Sequence, residues 1–145
     1  MRYLIFAIAL FLWPQPFAQA SDCGKRPVMT TTRQDGTKVG VLISDAQFAK
    51  APSWSIGDGE PPLPISKAVE IGRKWAAVEY KRYDSVRIQS ISLSQSSCMG
   101  DSRKWYYMLH FVPVMDGNPV YGGGNFAAVL LDGTIVGPTQ LKDSF

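Results

Sequence analysis

Catalysis by a nucleophile and a histidine needs an imidazole within reach of a serine or cysteine, and a third group to orient it. This chain has a single histidine, His110, within the run R-K-W-Y-Y-M-L-H-F-V at residues 103–112, and no serine in a G-x-S-x-G turn. The run reads as a strand, which makes His110 a partly buried strand residue with one satisfied hydrogen bond. A metal site wants at least three clustered His, Cys or carboxylate ligands, and no such spacing occurs. Gly122, Gly123 and Gly124 lack the lysine and Ser/Thr of a phosphate loop and read as a flexible turn. Asp116 and Asp132 each precede a glycine, a setting that favours aspartate for backbone reasons rather than as an acid–base pair. Met29, Met99, Met108 and Met115 are too irregularly spaced for a copper site, and core packing accounts for them. No catalytic residue, metal or cofactor is therefore predicted.

Two cysteines remain, Cys23 and Cys98. Both follow a leader: a short basic start, an apolar run over residues 4–13, then Pro14, Pro16 and Ala18-Gln19-Ala20, the small-x-small pattern of a signal-peptidase site. The apolar run is shorter than the roughly 20 residues of a membrane span. Residues 1–20 are thus a predicted signal peptide, with no membrane anchor after cleavage and a periplasmic or secreted mature chain. Lipidation of Cys23 would require a small residue before it, and Asp22 stands there. In an oxidising compartment the cysteine pair is most simply one disulfide, which in the loop-entropy picture is worth about 4 kcal/mol. The formal charge of the whole chain is +3. Lys81, Arg82 and Arg87 form the nearest thing to a basic patch, too sparse to neutralise several phosphates, so no nucleic-acid partner is expected.

The elements around the aromatic run follow from pattern. Residues 21–27 are a tether, and 28–145 form one domain. A β-hairpin is predicted over 28–44, turning at Gln34-Asp35-Gly36. A proline- and glycine-punctuated linker without regular structure follows at 51–64. Trp54 within it either folds back to cover the core or stays exposed for ligand contact. A helix is predicted over 66–81, N-capped by Ser66, with Glu70 suited to the helix dipole. Ala68, Ile71, Gly72, Trp75 and Val78 share its apolar stripe; Lys67, Glu70, Arg73, Lys74 and Lys81 share the opposite face. Gly72 costs about 1 kcal/mol relative to alanine in mid-helix, a loss that close approach to a sheet would offset. Strands fill 86–136. Val86 and Ile88 lie on one parity, Ile91 and Leu93 on the other, so a bulge is predicted near Gln89–Ser90. Residues 125–131 are apolar on both parities, Asp132-Gly133 turns the chain, and Pro138 ends the order.

In a strand, Trp105, Tyr107, Leu109 and Phe111 point one way and Tyr106, Met108, His110 and Val112 the other. The first set should meet Trp75 and Ile71 of the helix. The second set needs a cover: the N-terminal hairpin, the Trp54 linker or a partner molecule.

The motifs I-S-K-A-V-E-I-G, K-W-Y-Y-M-L-H-F and A-V-L-L-D-G-T-I-V resemble the PepSY-like group of bacterial exported domains, over residues 62–138 or about half of the chain. The shape they suggest is also similar to cystatin-like folds. The resemblance implies an α+β fold with one helix packed on a curled antiparallel sheet. It also implies a non-catalytic module, of a kind found in peptidase propeptides. The functional expectation is an exported binding module that contacts a protein partner, a peptidase or an envelope component, through an aromatic-rich sheet face. Tyr106, Met108, His110 and Trp54 are the candidate contacts. The alternative is a carrier that holds a small apolar or aromatic ligand in the concavity of the sheet.

Overall fold

The alternating side chains of residues 85–95 and 105–115 make the longest ladder of the molecule. The structure, a computed structural model, describes residues 25–96 and 103–142. The leader and both cysteines, and with them the expected Cys23–Cys98 disulfide, lie outside the described residues. Strand β3 (Ser85–Gln95) pairs antiparallel with β4 (Trp105–Met115), and the register shifts between Ile88 and Ser90. Gln89 is the extra residue of a bulge. This one-residue slip lets Val86, Ile88, Ile91 and Leu93 all pack into the same core despite their change of parity.

After β4 the chain reverses at Asp116-Gly117, both at positive φ (50° and 75°), as a type I′ hairpin requires. It returns as the short β5 (Asn118–Pro119), beside β4. β6 (Phe126–Leu130) then pairs with β4, and β7 (Ile135–Val136) with β6, so the sheet runs β3-β4-β6-β7. β1 (Met29–Thr32) and β2 (Lys38–Val41) form the N-terminal hairpin. The order does not end at Pro138: β8 (Thr139–Gln140) joins β2 and completes a second sheet of three strands. Burial of Leu141 and the bond from its N–H to the Lys38 carbonyl (2.9 Å) hold that tail in place. The fold class is α+β, with one long helix on an antiparallel sheet and an N-terminal hairpin.

Helix α2 (Ile65–Glu79) starts at Pro64 rather than Ser66 and ends two residues before the expected 81. The proline ring sets φ at −61°, and the Pro64 carbonyl accepts the Lys67 and Ala68 N–H groups (2.9 and 3.1 Å). These are the ordinary first bonds of a helix; no side chain caps it, so the hydroxyl cap expected of Ser66 does not form. Ala68, Gly72 and Ala76 are buried against the sheet. Trp75 lies 5.5 Å from the Phe111 ring. Val78 falls on the rim of the stripe and is exposed, contrary to its assignment to the buried side. A Cβ at Gly72 would run into Cδ2 of Leu109, so the glycine admits the helix to the sheet.

The face bearing Trp105, Tyr107, Leu109 and Phe111 meets α2, and Trp54 packs into the same core. The opposite face, with Tyr106, Met108, Phe126, Ala128 and Leu130, is covered by Val41, Ile43, Phe48 and Ala51. β6 is buried along its whole length because both faces are covered. Phe48 belongs to a short helix, α1 (Asp45–Lys50), closed by a Ser44–Gln47 capping box. Within the linker at 51–64, expected to lack regular structure, residues 56–58 form one 3-10 turn. Its Asp58 carboxylate accepts the Ser55 N–H at 2.9 Å.

Candidate functional site

Of the four residues expected to make contacts, three lie in the interior. Tyr106 is 7% exposed, Met108 5% and Trp54 7%. Tyr106 stacks at a tilt on Phe48 (6.3 Å), and burial pushes its phenol pKa up, partly offset by a hydrogen bond with Ser94. Trp54 meets Trp105 edge-on at 5.4 Å, and its indole N–H donates to the Gly59 carbonyl at 3.2 Å. That is the fold-back reading of Trp54. The aromatic-rich sheet has no open face over β4 and β6, because α2 closes one side and the hairpin with α1 the other.

His110 is the exception. It stands at the end of the covered stretch, paired across the strands with Ser90 and Phe126, and its ring lies 6.1 Å from that of Phe126. It lines a cavity of about 190 Å³ where the first hairpin diverges from the large sheet, with Thr30, Thr31, Gln89, Tyr121 and Asn125 around it. No hydrogen bond joins its ring to Ser90 or to a carboxylate among the described residues. Among the described residues, no group of three His, Cys, Asp or Glu side chains could hold a metal ion, and no helix is long and apolar enough to cross a membrane.

Two more cavities adjoin this one, and all three share Tyr121. One of about 250 Å³ lies over Arg87, Ile88, Gln89 and Val112. The largest, about 710 Å³, is an open groove between Arg33, Glu79, Tyr80, Arg82 and Tyr83 on one side and the loop of residues 120–125 on the other. Tyr121 is 67% exposed. The turn expected there forms at Gly123 and Gly124, and these two glycines are tightly packed. A Cβ at 123 would stand 2.6 Å from the Thr32 carbonyl oxygen, and Gly124 holds φ +95° against Val39 and Arg33. Only glycine lets the loop pass this close under β1.

The groove carries both signs of charge. Arg82 donates to the Tyr83 hydroxyl at 2.9 Å and its guanidinium lies 4.9 Å from that ring's centre. Asp35 accepts the Thr37 N–H at 2.9 Å, which holds its carboxyl below the usual range. Burial, with Glu79 nearby, pushes the Tyr80 phenol well above its ordinary pKa, so its hydroxyl remains a donor at any physiological pH. Such a surface can recognise a polar, partly charged partner through hydrogen bonds and ring contacts. Tyr121, Arg33 and Asn125 are absent from the expected contacts. The available signal was V-Y-G-G-G-N, an aromatic residue outside any strand period and next to a glycine run.

No family model matches the chain, and no curated protein or solved structure matches it either.

Proposed function

We propose that the protein is an exported, non-catalytic binding module that contacts a protein partner, a peptidase or another envelope component, at the groove centred on Tyr121. One observation carries this reading: a tyrosine ring, two-thirds exposed, borders all three cavities and is flanked there by Arg33, Arg82 and Arg87. Tyrosine and arginine are the residue types that concentrate binding energy at protein interfaces. Tyr106, Met108 and Trp54 are buried, so the reading rests on this rim instead of the sheet face.

The motif resemblance to PepSY-like exported modules favours binding over catalysis in this reading, as does a single histidine with no carboxylate bonded to its ring among the described residues. A carrier for small apolar ligands is less well supported. The half-open site beside His110 measures about 190 Å³, below the roughly 300–1,000 Å³ typical of ligand pockets, and the larger groove of about 710 Å³ is lined by Arg33, Gln34, Asp35, Glu79 and Arg82 rather than by apolar side chains.

A photo-crosslinking amino acid placed at Tyr121 in the native cell is expected to give a discrete protein adduct. The same probe at Arg73, on the exposed side of α2, should give none. Equal labelling from both positions, or none from Tyr121, would refute the proposal.

A further inference from the structure

Strand β3 is the open edge of the large sheet. The order β3-β4-β6-β7 leaves its outer side without a partner strand among the described residues. The Ser96 N–H donates to the Lys104 carbonyl at 2.7 Å, which sets the phase of the ladder. Counting back in twos, Ser94, Ser92 and Ser90 turn their backbone groups towards β4. Ile91, Leu93 and Gln95 therefore turn theirs outwards.

Natural sheets guard such an edge with charged residues, proline, bulges or a covering element. Here the stretch I-Q-S-I-S-L-S-Q, residues 88–95, has no charged residue and no proline, and the bulge lies at its beginning. Its side chains alternate between polar, exposed positions (Ser90, Ser92) and apolar ones partly covered by α2 (Ile91, Leu93).

We infer that β3 pairs antiparallel with β3 of a second copy of this chain, about a two-fold axis through Ser92. Charge decides between occupants. A charged peptide would find no counter-charge along residues 88–95. A second copy meets no like-charge conflict there, and the formal charge of +3 brings little overall repulsion. Two-fold pairing sets Ser92 beside its own copy, Ser90 beside Ser94 and Ile91 beside Leu93, the kind of cross-strand match that stabilises sheets. It also satisfies the outward N–H and C=O groups of Ile91 and Leu93. Because the axis is normal to the sheet, both α2 helices share one face and the two Tyr121 grooves point the same way. A partner with repeated sites would then be held bivalently.

The test is sedimentation of the purified chain over a dilution series. Wild type is expected to dimerise reversibly. The Ser92→Lys variant should dissociate at a concentration at least about tenfold higher, because the axis brings the two ammonium groups together. Ser92→Asp should behave likewise, and mixing the two variants should restore the dimer. Circular dichroism of each variant checks that the exposed substitution leaves the fold intact. A wild type that stays monomeric at every concentration overturns the inference, and so does a mixture of the two variants that fails to associate.

Discussion

The ammonium group of Lys104, on a side chain only 8% exposed, donates to the carbonyl of Ala51 at 2.6 Å. This bond ties the start of β4 to the residue that ends α1. A cation at a helix C-terminus is favourable for its unpaired carbonyls, and this one holds the cover over Tyr106 in place. Lys104→Met removes the donor and leaves a buried carbonyl unsatisfied, a loss of about 1–3 kcal/mol. Urea unfolding should show that loss. An unchanged midpoint would mean that the Phe48 cover is held by packing alone.

Gly72 against Leu109 gives a prediction opposite in sign to helix propensity. Glycine to alanine in a helix usually gains about 1 kcal/mol. Here the new methyl meets Leu109, which is fully buried and cannot move aside. Gly72→Ala should destabilise by about 1–3 kcal/mol, as overpacking does. In a Leu109→Ala background the same change should be neutral or stabilising, and a double-mutant cycle checks it.

Gly124→Ala imposes a side chain on a residue at φ +95° and should cost about 1–2 kcal/mol. Tyr121→Ala, three residues away, removes an exposed ring and should change stability by less than about 0.5 kcal/mol. Thermal melts separate the two. The loop is thus expected to keep its shape when Tyr121 is removed, while partner capture is lost.

Glu70 binds both Lys67 and Lys74 at 2.8 Å. These hydrogen bonds, Lys67 first, lower its pKa from 4.5 to about 2. A depressed folded-state value means that the pairing contributes above the unfolded carboxylate value and fades as pH falls towards 2. Glu70→Gln should therefore lower stability slightly at neutral pH and not at pH 2. All three side chains are well exposed, so the difference should be small and should shrink in high salt. A carbon-detected NMR titration of Glu70 reads the value directly; a midpoint near 4.5 would show the bridge to be absent in solution.

Much of the scaffold was legible in local pattern. The parity change between Ile88 and Ile91 announced the bulge, and the two apolar parities of residues 125–131 announced a strand covered on both faces. Gly72 announced a close helix–sheet contact. Helix α1 was also written locally, in Ser44 and Gln47 before Phe48, but its six residues are too few for periodicity to reveal. The candidate site was far less legible. Aromatic residues mark cores and binding surfaces alike, and nothing in W-Y-Y-M-L-H-F distinguishes a face covered by Phe48 from one awaiting a partner.

Period and punctuation specified the α+β class, the hairpin, the helix stripe and the two-faced strand β4, because each depends on neighbours a few residues apart. Which surface stays open depends on contacts between residues far apart in the chain. Lys104 on Ala51, Phe48 on Tyr106 and Trp54 on Trp105 close the faces that the aromatic run presents. Their closure leaves the Tyr121 groove and the uncharged outer edge of β3 among the surfaces that stay open in the described residues.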